Sequence, residues 1–122
     1  MSYTITEARQ ALADALNTLT GVSVRLRAIK NPRALDGWTV SGTVSPDGYG
    51  DSHAQIGAVI LLSTDPAAAD EQFDTLAVAI IDATKSVDGG FDVRLDPASV
   101  TVGDSGTAWD VIAVQMTVEV QQ

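Results

Sequence analysis

The chain has no cysteine, a single histidine, and seven basic residues against sixteen acidic ones. Without cysteine it cannot form a disulfide, bind zinc through thiolates or use a thiol as a nucleophile. The formal net charge of −9 argues against binding nucleic acid by simple attraction to phosphates. No apolar run approaches the roughly 18 residues of a membrane span, and the polar N-terminus is unlike a signal peptide. We therefore expect a soluble, cytoplasmic protein that makes no contact with membranes.

Motifs that carry chemistry are also scarce. His53, near Asp47 and Asp51, is a lone histidine in a glycine-rich stretch, whereas a metal site needs several ligands at fixed geometry. No serine lies in a G-x-S-x-G context, and the chain has neither a P-loop nor G-x-G-x-x-G. We therefore expect no enzymatic activity, no cofactor and no metal.

What the chain does have is a strong strand–helix pattern between residues 55 and 90. The apolar run 56–62 predicts a strand that is buried on both faces. Asp65 is suited to cap the helix that follows, and Pro66 to occupy its first position. Gly89 or Gly90 is expected to end this helix. Its predicted core stripe comprises Ala69, Phe73, Leu76, Ala77, Ile80 and Thr84.

An earlier amphipathic helix opens the chain. Thr4 and Glu7 have the spacing of a capping box, with Thr6 as an alternative cap, and Gly21 is expected to close the helix. Its predicted buried stripe comprises Ala8, Ala11, Leu12, Ala15, Leu16 and Leu19. Three strands follow the first helix in this interpretation, and two follow the second.

Alternating apolar residues mark the other strands. The first spans 22–29, with Arg25 and Arg27 side by side on its outer face. The second contains Trp38, Val40 and Val44, with Gly42 as a possible bulge, and a loop of residues 45–52 leads to the buried strand. The fourth contains Phe91, Val93 and Leu95, stopped by Asp96-Pro97 or extended through Val100 and Val102. The last covers 107–120, where a change of apolar phase predicts a bulge or burial of both faces.

These elements give the order α-β-β-β-α-β-β in one domain, residues 1–122. The predicted fold class is α+β: a mostly antiparallel sheet of about five strands, with two helices packed on one face. Valines and a tryptophan on the other face would then be covered by another subunit or left as an exposed patch. An alternative is that both tryptophans belong to the core.

The order of elements resembles the tail terminator proteins of long-tailed (siphovirus-type) bacteriophages, especially those of actinobacteria. The resemblance rests on TITEAR at 4–9, LTGVxV at 19–24, GWTV at 37–40, DPAAAD at 65–70 and the valine-rich last strand. It implies an α/β subunit of a six-membered ring in the virion, made in the host cytoplasm. That ring caps the tail tube, ends its polymerisation and docks to a head–tail connector or stopper protein. It implies no catalytic residue.

Ring closure needs two different patches, and the charge distribution offers them. Arg25, Arg27, Lys30 and Arg33 fall in a window without an acid. On the second helix, Asp70 and Asp74 lie off the core stripe together with Val78 and Ile81. We predict that these eight residues form the subunit interface. The alternative is that the arginines only keep a sheet edge or face soluble.

A second predicted contact is the loop containing Pro46, Asp47, Tyr49 and Asp51, with Tyr49 as anchor against the tail or connector. The acidic balance would suit a lumen through which DNA passes without specific binding. A connector or stopper role is a near alternative. From a different class, the competing interpretation is a small cytoplasmic acidic binding or adaptor module without catalysis.

Overall fold

A computed structural model of the chain describes residues 3–29, 32–46, 51–102 and 106–121. Two helices and a five-stranded sheet make up an α+β fold with the predicted order of elements. The helices are α1 (Ile5–Leu16) and α2 (Pro66–Thr84). The strands are β1 (Ser23–Arg25), β2 (Asp36–Pro46), β3 (Asp51–Leu61), β4 (Gly90–Val102) and β5 (Thr107–Gln121). The strand order in the sheet is β1-β2-β3-β5-β4, so β1 and β4 are its two edges. Only the β1–β2 pair is parallel.

Both predicted helix starts are confirmed. The Thr4 hydroxyl accepts from the Glu7 backbone N–H at 3.1 Å, and the Glu7 carboxylate accepts from the Thr4 N–H at 3.0 Å. This capping box satisfies two of the backbone donors that a helix start leaves free. In α2, the Asp65 carboxylate accepts from the Ala68 N–H, and Pro66 takes the first position, where no N–H is needed.

Both helices end before the glycines that were predicted to end them. In each case the chain leaves the helix several residues earlier and enters a turn. α1 stops at Leu16, and the Asn17 side chain bonds both backbone groups of Val24 on the edge strand β1. α2 stops at Thr84, five residues before Gly89. Gly21 and Gly89 do adopt positive φ, of 82° and 69°, but they do so in the turns that follow the helices.

One face of the sheet carries the main core. On the central pair β3–β5, Ile56 lies opposite Met116 and Ile60 opposite Ile112, and all four side chains are buried. Leu12 and Leu16 of α1 and Ile80 of α2 belong to the same cluster, so both helices cover this face. We call it the covered face, and the opposite side the open face. The two-helices-on-one-face prediction is confirmed.

The strands differ from the predicted ones at their ends. β1 is only three residues long, so the prediction that Arg27 lies on this strand beside Arg25 is wrong. The chain leaves the ladder because the Leu26 carbonyl accepts from the side chains of Arg9, at 2.5 Å, and Thr39, at 3.1 Å. The connection between β2 and β3 is also shorter than predicted, since Ser45 pairs with His53 and Pro46 with Ser52.

Asp96-Pro97 does not stop β4, and the alternative extension through Val100 and Val102 is confirmed. Pro97 pairs with Ile112 on an edge strand, which tolerates proline because only one side of the strand is paired. The strand instead bulges between Phe91 and Arg94, where Asp92 has a φ of 56°. On β2 the register shifts between Ser41 and Val44, which confirms the irregularity predicted at Gly42.

Of the two predicted explanations for the change of apolar phase in β5, burial of both faces is confirmed. The β3–β5 ladder runs without a register shift, and the neighbours Val111 and Ile112 are both buried. The same holds for β3, where Ile60 and Leu61 are both buried, as the apolar run predicted. Leu61 lies opposite Val111, so these two side chains form a small buried pair on the open face.

Candidate subunit interface

The outer side of α2 carries two apolar side chains that this subunit does not cover. Val78 is 68% exposed and Ile81 is 44% exposed. They are three residues apart, so they are neighbours on the helix surface. Asp74 and Asp70 continue the same side of the helix toward its N-terminus, and both are exposed. The structure thus brings these four predicted interface residues together on one surface, as their spacing predicted.

The aspartates on this surface differ in whether a basic side chain forms an ion pair with them. Asp82 is neutralised locally by Lys85, whose Nζ lies 3.0 Å from its carboxylate. For Asp70 and Asp74, no described cation forms an ion pair. Negative charge therefore concentrates at the N-terminal half of α2, next to the apolar pair formed by Val78 and Ile81.

An open groove of about 410 Å³ borders this half of the helix. It separates α2 from the end of the β4–β5 pair, and Phe73 and Leu62 contribute apolar lining. Phe73 was predicted to be largely buried. It is half-buried because its ring lines the groove. The remaining lining residues are Ala69, Asp70, Asp74, Pro97, Ala98, Asp110 and Val111.

Asp110 was missed by the sequence analysis. It lies on β5 next to the buried Val111, and its backbone carbonyl accepts from the Leu62 N–H at 2.8 Å. It lines the same groove as Asp70 and Asp74, and none of the described residues that line this groove is basic. No spacing in the sequence links residue 110 to residues 70 and 74, because only the folded sheet brings them to one place.

Four more side chains of the predicted stripes are also half-buried, namely Ala11, Leu19, Leu76 and Ala77. Leu76 lines a shallow depression on the opposite flank of α2, together with Leu35 and Glu71. Leu19 lies in the turn after α1, at the margin of the core cluster. The helical stripe was therefore placed correctly, but its margins are less covered than predicted.

The described residues of the basic segment are also exposed. Arg25, Arg27 and Arg33 are all exposed, and none forms an ion pair within the described part of the chain. Lys30 lies outside the described residues. By contrast, Arg94 lies 3.6 Å from Asp92, and the Arg9 Nε donates to the Thr39 hydroxyl at 3.1 Å. Within the described residues, these exposed arginines therefore have no ion-pair partner.

The two predicted patches lie toward opposite edges of the sheet. Arg25 ends β1, which is one edge. α2 packs against β4 and β5, and β4 is the other edge. Neighbouring strands are about 4.8 Å apart, so β1 is roughly 14 to 19 Å from the pair that borders the groove. The arginines therefore do not meet the aspartates of their own chain.

The predicted contact loop is described only at its two ends. Pro46 and Asp51 belong to the paired strands β2 and β3. Asp47 and Tyr49 lie outside the described residues, so their role as a tail or connector contact stays a prediction.

The open face divides into an apolar half and a polar half. Trp38 lies opposite Val59, and Val40, 44% exposed, lies two residues further along β2. Toward the other end of β3 and β5, Gln115 donates to Gln55 at 3.2 Å. The predicted apolar patch is thus present on β2 and β3, and Trp38 belongs to it and not to the main core.

His53 lies in the polar half of the open face. Its Nε2 is 4.0 Å from Glu119, and its ring meets Phe91 edge-on at 5.5 Å between centroids. Across the described residues, no group of three or more histidine, aspartate or glutamate side chains is arranged to hold a metal ion. None of the helices in that part of the chain is long and apolar enough to cross a membrane.

No protein-family model matches the chain. No curated protein shows significant sequence similarity to it.

Proposed function

We propose that the protein is a structural subunit of the head–tail junction of a long-tailed bacteriophage. In this proposal six copies form a ring that caps the tail tube, stops its polymerisation and docks to the head connector. The proposal starts from the resemblance of the element order to tail terminator proteins. The α+β fold, with two helices on one face of a five-stranded sheet, agrees with that resemblance.

The observation that carries the proposal is the placement of two unlike surfaces toward opposite edges of one sheet. A closed ring is built from a heterologous interface, in which one patch contacts a different patch on the next copy. Arginines at the β1 edge and aspartates on α2, for which the described residues provide no ion-pair partner, supply such patches. Because the two groups lie apart, these arginines do not pair with these aspartates within one chain, whereas head-to-tail contact brings the two groups together.

Apolar contacts are expected to supply most of the affinity of this interface. Exposed ion pairs are individually worth about 0–1 kcal/mol, so the charges set orientation and register. Val78 and Ile81 present apolar area on the same surface as the aspartates. Burying such side chains gains about 25 cal/mol per Å² of apolar surface.

The first experiment is a mass measurement by light scattering, followed by electron microscopy with and without tail tubes. The proposal predicts a particle of about six chain masses, each chain being 12.7 kDa, seated at the tube end. A monomer or dimer that leaves tube length unchanged would instead favour the adaptor class. Matched variants then test the surfaces: Arg25→Glu with Arg27→Glu should abolish the ring, and adding Asp70→Lys with Asp74→Lys should partly restore it.

Glu71→Lys is the control for these charge reversals. Glu71 is exposed on α2 but lines the depression on the opposite flank of the helix. The same change of charge there should leave the ring intact. In the assembled ring, DNA passes without specific binding, so tight and salt-sensitive binding of duplex DNA by the protein would contradict this part of the proposal.

A further inference from the structure

The β4–β5 pair projects beyond the rest of the sheet. β5 pairs with β3 only as far as Val111, whereas its pairing with β4 continues to Thr107. Residues 99–102 and 107–110 therefore form a two-stranded ribbon beyond the paired part of β3, joined at its base by the Leu62 N–H, which donates to the Asp110 carbonyl. A two-stranded ribbon by itself is only marginally stable in water. Asp110 at the base of this projection, together with Pro97, Ala98 and Val111 just before it, forms one wall of the groove beside α2.

The groove combines an apolar lining with carboxylates from both walls. Phe73 and Leu62 lie on the helix side and in the segment before it, and Pro97 lies on the ribbon side. Asp70 and Asp74 come from α2, and Asp110 comes from the ribbon. An arginine side chain matches this chemistry, because its aliphatic stem buries against apolar surface while its planar head bonds carboxylates. An aromatic ring such as that of Phe73 adds a favourable contact for the guanidinium.

The chain itself carries the matching group at its other edge. Arg25 and Arg27 are exposed and form no ion pair with any described residue. Three to four strand spacings, about 14 to 19 Å, separate β1, which ends at Arg25, from the groove of its own subunit. An arginine of a second copy is not held at this distance, so it can enter the groove.

We propose that the groove between α2 and the β4–β5 ribbon receives the arginine-bearing segment 25–27 of a second copy of this chain. The inference rests on the proposed ring and deepens it. It names the pocket, adds Asp110 and Phe73 to the contact, and explains why a phenylalanine in the core stripe of α2 stays half-exposed. The contact is head-to-tail, so it leaves the groove of the second copy open for a third.

Single introduced cysteines test this contact without altering any charge, because the chain has no cysteine of its own. Ala98→Cys places a thiol on the groove wall, and Ala28→Cys places one next to Arg27; both alanines are exposed. A short bismaleimide is added to each variant alone and to their mixture. The mixture should give covalent dimers and each variant alone should not, since the contact joins two different surfaces. Thr6→Cys, exposed on α1, replaces Ala98→Cys as the control and should lose the dimer.

A second test removes one charge from the groove and measures the yield of covalent dimer. Asp110→Asn in the Ala98→Cys chain should lower the yield of covalent dimer, as should raising the salt concentration. Glu71→Gln should leave the yield unchanged, because Glu71 lies on the other flank of the helix. Light scattering on the protein without substitutions is measured in parallel.

The outcomes separate this inference from the proposed function. A ring mass without a covalent dimer in the mixture would overturn the groove contact and leave the ring standing. A monomeric mass with the dimer retained would overturn the ring and keep the contact. Dimers formed by either cysteine variant alone would indicate a symmetric contact and overturn the head-to-tail arrangement.

Discussion

Two neighbouring residues on β2 show how differently the two faces of the sheet are built. Thr39 points to the covered face and is 3% exposed, whereas Val40 points to the open face and is 44% exposed. The polar side chain is buried and the apolar one is not. Thr39 tolerates burial because its hydroxyl accepts from Arg9 and donates to the Leu26 carbonyl. Nothing comparable covers Val40.

This difference shows which surfaces of the subunit are covered by its own chain and which are not. The covered face has both helices, a continuous apolar cluster and, among the described residues, no buried polar side-chain atom without a partner. The open face and the outer side of α2 expose Val40, Val78 and Ile81. Exposed apolar side chains beside unpaired charges are typical of contact surfaces.

The largest effect is expected for Ile80→Ala, in the centre of the covered face. Ile80 is 0% exposed, so the change removes buried apolar volume and should lower the free energy of unfolding by about 2–5 kcal/mol. Urea denaturation measures it. Val78→Ala, on the outer side of the same helix, is the control and should change stability by less than about 0.5 kcal/mol. Equal losses at both sites would mean that the two sides of α2 are not distinct.

An intermediate effect is expected for Thr39→Val, which keeps the shape and removes the hydroxyl. The Arg9 Nε then loses one acceptor at 3.1 Å, and the Leu26 carbonyl loses one donor. The free energy of unfolding should fall by about 1–3 kcal/mol, the usual cost of leaving partly buried polar groups unpaired. A neutral or stabilising result would show that burial, and not this bond network, holds Thr39 on the covered face.

A pH-dependent effect is expected at the start of α1, the helix that covers this face. Hydrogen bonds from the Thr4 backbone and side chain hold the pKa of Glu7 below its usual value of 4.5. A carboxyl whose pKa is lowered by folding stabilises above its unfolded pKa, and that stabilisation is lost as the pH falls through the folded pKa. The stability difference between the unaltered chain and Glu7→Gln should therefore be constant above about pH 4.5 and shrink below it. Chemical denaturation at several pH values measures this, and a difference that grows on acidification would contradict it.

The smallest effect on the isolated subunit is expected for Val40→Thr on the open face. The side chain is nearly half exposed, so the change should alter the free energy of unfolding by less than about 0.5 kcal/mol. Thermal unfolding of Val40→Thr and of Thr39→Val, measured at equal protein concentration, compares the two faces of the sheet. A loss as large as that of Thr39→Val would show that the open face is part of the core.

Sequence periodicity predicted the elements well where one pattern dominated. The capping pair Thr4 and Glu7, the Asp65-Pro66 start and the doubly buried run in β3 all follow from local chemistry. Alternation also placed Trp38 and Val40 together on one side of β2. It could not say that this is the uncovered side, because the choice depends on where α1 packs.

The ends of the strands depended on partners distant in the sequence. β1 stops at Arg25 because the Leu26 carbonyl is taken by side chains from α1 and β2. β4 continues through Pro97 because it is an edge, which a local reading does not reveal. The same reason hid Asp110 from the candidate interface: only the fold brings it to the groove that Asp70 and Asp74 line.

The most direct test of the central claim is the particle mass with and without matched charge reversals. We predict about six chain masses for the unaltered protein. Arg25→Glu with Arg27→Glu should reduce this to a single chain, and Asp70→Lys with Asp74→Lys in the same chain should restore larger particles. An unchanged mass after the arginine reversal would contradict the account, because the basic segment would then lie outside the contact between subunits.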